Sequence, residues 1–156
     1  MTRMPSPVLE KVSDNNFGEF LALIRALAEY EHLSPPDSAA EERLREDAVG
    51  KSPRYEAYLA KTGGAAIGYI TFYFTYSTFL ARPTLYLEDI FVKKEYRGQG
   101  IGRQMVTFCR QIAQERGCGR MEWMVLDWNE SAIRFYEKSG AQRLGWYVYR
   151  IDRDQL

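Results

Sequence analysis

The segment Arg97-Gly98-Gln99-Gly100-Ile101-Gly102 places three glycines directly ahead of an amphipathic helical pattern. A turn that feeds a helix N-terminus leaves backbone N–H groups without intrahelical acceptors, and the helix dipole adds positive potential at the same place. Glycine lets an anion approach the main chain with no Cβ in the way. The stretch therefore reads either as a phosphate-binding bend or as a plain strand-to-helix turn. The glycines fall at 98, 100 and 102, which is not the dinucleotide-binding Gly-x-Gly-x-x-Gly, and no Gly-Lys-Ser/Thr follows to make a P-loop.

Glu88 and Asp89 are adjacent acids inside the apolar run Leu85–Val92. Strand alternation sends such neighbours to opposite faces unless a bulge intervenes. A carboxylate taken out of water needs a partner or a function. Pairing with an Arg or Lys from a neighbouring strand or subunit is one reading, and a ligand site is the other. The remaining reactive types are few. His32 is the only histidine and lies in Tyr30-Glu31-His32-Leu33 with no nucleophile motif nearby, so it reads as a surface residue at a helix end. Cys109 and Cys118 do not form a CxxC and read as two reduced thiols. A zinc site of several His or Cys ligands is hard to build from this inventory, and no metal is expected.

The elements that must hold these groups follow from the hydrophobic pattern. Val8–Val12 reads as an entry strand, with Ser13 and Asp14 as helix caps. Phe17, Phe20, Leu21, Ile24, Leu27 and Ala28 form one stripe on a helix of about 15–32, ended by Pro35-Pro36. Residues 38–49 read as a second, more polar helix. Tyr55–Lys61 and Ala65–Tyr76 read as strands joined at Gly63-Gly64, the second apolar at both parities and hence central in a sheet. Leu85–Val92 is another central strand. Ile101, Met105, Phe108, Cys109, Ile112 and Ala113 mark the buried stripe of a helix over 101–116, with Gly117 as its cap. Met121–Leu126 reads as a strand, Asn129 caps a helix of about 130–138 stopped by Gly140, and Trp146–Ile151 reads as a last strand. The order β-α-α-β-β-β-α-β-α-β is one α/β domain with a mixed sheet, spanning residues 1–156.

Composition narrows the function. The chain has 156 residues, with 21 Lys plus Arg against 21 Asp plus Glu. No positive excess is present to drive nucleic-acid binding through counterion release. No apolar run reaches the roughly 18 residues of a membrane helix, and the first seven residues lack the apolar core of a signal peptide. A cytoplasmic protein is expected.

Arg97-x-x-Gly100-x-Gly102, set between an apolar strand and an amphipathic helix, resembles the acyl-CoA pyrophosphate loop of the GNAT superfamily of N-acetyltransferases. Over about residues 8–151 the chain follows that layout. Leu27-Ala28-Glu29-Tyr30-Glu31, Phe74-Thr75-Tyr76, Tyr86-Leu87-Glu88-Asp89 and Val125-Leu126-Asp127-Trp128-Asn129 are similar to the diamine acetyltransferases, which include the spermidine/spermine enzyme and a thialysine-acting paralogue. Tyr76-Ser77-Thr78 and Leu126-Asp127-Trp128-Asn129 look closer to the thialysine branch.

The resemblance implies a GNAT fold, a mixed central sheet flanked by helices, and acetyl-CoA as cosubstrate. It implies that the backbone of Arg97, Gly98, Gln99, Gly100, Ile101 and Gly102 holds the pyrophosphate. Ile90, Phe91 and Val92 run beside the pantetheine, and one of their N–H groups polarises the thioester carbonyl. Asn129 contacts the cofactor near the pantetheine, beside its local role as a helix cap. Tyr136 is the general acid toward the CoA sulfur, a role suited to a phenol protonated at neutral pH; the alternative is an ordinary half-buried aromatic. Glu88 serves the proton path from the attacking amine, and Asp89 holds a distal ammonium. The implied reaction is direct attack by a primary amine of a small molecule in a ternary complex, by a homodimer. A protein or peptide N-acetyltransferase and a non-catalytic CoA-binding regulatory module are the alternatives. Three departures alter the expected acceptor region, two of them by removing negative charge. Ser77 stands where the spermidine branch has an acid, Phe79 replaces a tryptophan, and an acidic insertion after Gly140-Ala141 is missing. They favour a shorter amine or a lysine-like amino acid over spermidine or spermine.

Overall fold

The computed structural model describes residues 6–156; the expectation about the extreme N-terminus falls largely outside them. The described chain forms two compact units, one reaching Met124 and one from Val125 to Leu156.

The first unit is built on a five-stranded sheet in the order β1 (Val8–Lys11), β2 (Glu56–Thr62), β3 (Ala65–Ser77), β4 (Arg82–Val92) and β5 (Arg120–Glu122). All neighbours are antiparallel except β4 and β5, which are parallel. α1 (Phe17–Tyr30) and α2 (Ser38–Val49) connect β1 to β2, and α3 (Ile101–Glu115) makes the crossover that a parallel β4–β5 pair requires. β3 is central, as its unbroken apolar run predicts: Ala66 to Phe72 are all buried. Gly63 and Gly64 have φ of +57° and +82°, the left-handed pair that a two-residue hairpin turn needs.

One face of the sheet packs on α3 through Met105 and Cys109, both fully buried with Ile70, Phe72 and Leu85. The other packs on α1, where Phe20 meets Tyr69 edge to face and Phe91 joins them. α1 and α3 end in the same way. His32 at φ +58° and Gly117 at φ +67° take the left-handed position past the helix, and Leu33 and Cys118 return N–H bonds of 2.8 Å to Ala28 and Ala113. His32 is thus the exposed helix-end residue expected. The cap of α1 differs from expectation. Asn16 precedes the helix, and its side chain accepts from the Ser13 N–H and donates to the Lys11 carbonyl and Glu10, locking the β1–α1 corner.

The second unit contains α4 (Glu130–Lys138), with the Asn129 side chain accepting from the Ala132 N–H at 3.2 Å. Two expected strands differ. β5 stops at Glu122 instead of reaching Leu126, and residues 146–151 form no strand. Trp146, Tyr147 and Tyr149 are more than 80% exposed. High β propensity reports only a local preference; a strand exists when a neighbouring backbone pairs with it. Among the described residues no helix is long and apolar enough to cross a membrane.

Candidate active site

The β3–β4 ladder slips by one residue at the two acids. Thr71 pairs with Asp89, but Phe72 pairs with Leu87, leaving Glu88 as the extra residue of a bulge. The bulge cancels the alternation that would part the acids, and both line one cavity of about 330 Å³. Phe20 and Ile24 of α1 and Leu44 of α2 form its apolar wall, Tyr55 and Tyr73 its aromatic wall, and Thr71 and Arg54 complete the lining.

The two acids differ in setting. Glu88 is exposed, with the Tyr73 hydroxyl 3.5 Å from its Oε2. Asp89 is largely withdrawn from water. The Thr71 hydroxyl donates to its Oδ2 at 2.9 Å, and its own N–H donates to Thr71 Oγ1 at 3.1 Å. Burial pushes the Asp89 carboxyl up to about 6; the Thr71 hydroxyl works against this, while Glu88 and Glu31 add repulsion. Burial likewise pushes the Tyr69 phenol up, with Asp89, Glu31 and Glu88 contributing, so it stays a donor. The cavity thus holds an excess of negative charge, which matches a cation with an aliphatic stem.

The glycine-rich bend also has the geometry a phosphate needs. A 3-10 turn at Lys94–Tyr96 leads into it, and Gly100 precedes α3. Gly98 and Gly100 have φ of +74° and +82°, and beyond the adjacent residues no atom lies within 4 Å of the point where a Cβ would stand on either. The first intrahelical bond runs from the Gln104 N–H to the Gly100 carbonyl, so the amides of Ile101, Gly102 and Arg103 precede the helical ladder. The Arg97 side chain is a brace for the bend: its Nε donates to the Val92 carbonyl at 2.8 Å, and its guanidinium lies 4.7 Å from the Tyr30 ring centre.

β5 pairs with β4 only at Thr84–Tyr86, so among the described residues no strand pairs with the β4 edge beyond Tyr86. The Lys93 N–H bonds Ile67 on β3. Alternation then turns the backbone of Phe91 toward β3 and that of Ile90 and Val92 toward the open edge. Of the three residues expected beside a pantetheine, two present main-chain groups there; the Phe91 side chain is core. Asn129 and Tyr136 belong to the second unit. Asn129 caps α4, and Tyr136 is buried, its ring centre 5.1 Å from that of Phe135. Among the described residues no cluster of His, Cys, Asp or Glu is arranged to hold a metal ion.

The sequence matches the acetyltransferase (GNAT) family over residues 21–141. The chain belongs to that family. It is 38% identical over 161 residues to a thialysine N-epsilon-acetyltransferase of Bos taurus, covering 96% of this chain and 94% of the relative. It is 42% identical over 90 residues to an L-ornithine N5-acetyltransferase of Arabidopsis thaliana, covering 57% of this chain and 40% of the relative. The aminoglycoside N-acetyltransferase AAC(6')-Iy, solved with CoA, shares the fold with a TM-score of 0.79 at 16% identity, over 98% of this chain and 99% of that one. This GNAT protein is an N-acetyltransferase, and its family implies acetyl-CoA as the acetyl donor. Arg54, Tyr55 and Thr71 escaped the sequence reading. The first lies in an irregular stretch, and the other two look like ordinary strand residues.

Proposed function

We propose that this enzyme acetylates the terminal primary amine of a small molecule, a diamine or polyamine or a thialysine- or lysine-like amino acid. The observation that carries the proposal is the bulge that brings Glu88 and Asp89 into one cavity with an aliphatic and aromatic wall. Acetyl-CoA supplies an activated acetyl group as a thioester. The open bend from Arg97 to Gly102 is suited to its pyrophosphate, and the main-chain groups that Ile90 and Val92 turn away from β3, apart from the Val92 carbonyl held by Arg97, to its pantetheine amides and thioester carbonyl.

An alkyl ammonium with a pKa of about 10 is neutral in only about one molecule in a thousand at pH 7. It must lose a proton before attack. Glu88, exposed at the cavity, takes that proton directly or through water. Asp89, ionised above its raised pKa, holds a second ammonium. Tyr136 holds the proton that the leaving sulfur takes up, and Asn129 contacts the cofactor from the start of α4; both roles come from the family resemblance. The family match runs from residue 21 to residue 141, across the boundary of the two units, and supports reading them as one catalytic domain. Homodimer formation belongs to the same reading, with exposed Trp146, Tyr147, Val148 and Tyr149 offering apolar area for a second copy. The free thiols of Cys109 and Cys118 suit a reducing cytoplasm.

A thiol-release screen with acetyl-CoA tests the proposal, using diamines, polyamines, thialysine, lysine, ornithine and peptides. Turnover with small amines and none with peptides is expected. Turnover confined to peptides would assign the cavity to a side chain of a protein, and CoA binding with no turnover would make the protein a sensor.

A further inference from the structure

The acids of the cavity select for a cation but do not distinguish a diamine from an amino acid that carries a terminal amine. Arg54 bears on that choice. Among the described residues it is the only cationic one lining the cavity, and its side chain is 81% exposed, which puts it at the mouth. Its Nε lies 3.2 Å from Oδ1 of Asp47, on the last turn of α2, and its N–H donates to the Asp47 carbonyl at 2.8 Å. Backbone and side chain together hold the two charges side by side. Tyr55 follows Arg54, and its hydroxyl donates to the Leu44 carbonyl at 2.8 Å. Burial raises the pKa of that phenol, and the charges of Asp47 and Asp89 add to the rise. Tyr55 lines the same cavity as Arg54 and Asp89.

We infer that Arg54, held in place by Asp47, clamps the α-carboxylate of an α-amino acid at the cavity mouth, and that this makes the acceptor an ω-amino α-amino acid. The inference rests on the reading of this cavity as the acceptor site. A guanidinium meets a carboxylate with paired, charge-assisted hydrogen bonds, and Asp47 holds the Arg54 side chain in place for it. The terminal ammonium then reaches Glu88 along the apolar wall. A diamine presents a second cation to Arg54 and is rejected by like charge. The clamp thus discriminates by attraction and repulsion together.

The test compares two acceptors that share one reacting arm, thialysine and its decarboxylated diamine, on the wild type, Arg54→Gln and Arg54→Lys. Each protein's melting temperature is recorded. For Arg54→Gln, the KM for thialysine rises at least about tenfold, the low end for a lost charge-assisted bond at an exposed site, while kcat stays within about twofold. The KM for the diamine stays level or falls. Arg54→Lys recovers part of the thialysine affinity. If both acceptors shift together, or neither shifts, the clamp is refuted while the acceptor cavity stands. If the wild type turns over neither acceptor and acts only on peptides, the cavity reading fails and the clamp fails with it.

Discussion

Asp89 carries an energetic cost that can be measured without substrate. Its carboxyl has an ordinary pKa of 3.8 in the unfolded chain and about 6 in the fold, chiefly because burial penalises the charged form. Between those two values the folded protein binds more protons than the unfolded one, so this group makes stability fall as pH rises from about 4 to about 6. Below that window it contributes nothing; above it the full cost is present. At about 1.4 kcal/mol per tenfold change in proton affinity, the cost comes to about 3 kcal/mol. Asp89→Asn removes the charge and keeps an oxygen to accept from the Thr71 hydroxyl. Urea unfolding of both proteins at pH 4 and pH 7.5 isolates the group, because the other carboxylates cancel in the difference. The variant should gain about 3 kcal/mol on the wild type between the two pH values. Parallel pH profiles would refute the assignment of a buried, charge-strained carboxylate. The same cost is what a bound ammonium relieves. A saturating amine acceptor should therefore raise the melting temperature of the wild type at pH 7.5 and leave Asp89→Asn almost unmoved.

Four further outcomes follow from other parts of the molecule. Gly100→Ala forces an alanine to φ +82°, costing about 1–2 kcal/mol, and places a methyl group in the phosphate cradle. CoA affinity by calorimetry should fall at least about tenfold. The matched control Gly63→Ala, at φ +57° in the β2–β3 hairpin, should lose similar stability and bind CoA normally. Tyr136→Phe should lower kcat by at least about a hundredfold with CoA affinity nearly unchanged, the signature of a lost general acid. Glu88→Gln should lower kcat/KM by about tenfold or more at pH 7, and the deficit should shrink toward pH 10 as the free amine becomes abundant, measured from thiol release across pH. Thr84 is 1% exposed, and its Oγ1 has no hydrogen-bond partner among the described residues, so Thr84→Val should raise stability by about 1–2 kcal/mol in urea unfolding.

What the sequence disclosed and what it hid divide along a physical line. Patterns written within a few residues were legible: the stripe of α3, the Gly63-Gly64 turn, the Asn129 cap, and the bend whose glycines adopt left-handed conformations. Each depends on local geometry that residue type alone restricts. The segment Trp146–Ile151 shows the limit of this logic. Its aromatic and β-branched residues favour an extended backbone, yet strand formation depends on an edge supplied from elsewhere, which composition does not encode.

The acid pair lies between these cases. Sequence identified Glu88 and Asp89 as costly unless used, and alternation alone would have separated them. A single extra residue in the ladder reverses that outcome, and register is a property of two strands together. Arg54 and Asp47 are further still from sequence logic. Asp47 lies on the last turn of α2 and Arg54 in the irregular connection after it, and the meaning of Arg54 depends on a cavity whose walls come from α1, α2 and two strands. On the proposed reading, the chemistry common to the family is carried by local motifs, whereas the acceptor pocket is assembled from long-range contacts. Two chains with the same glycine bend can therefore differ in the amine they accept, through residues that carry no motif. In this chain Arg54 is the residue on which that difference turns.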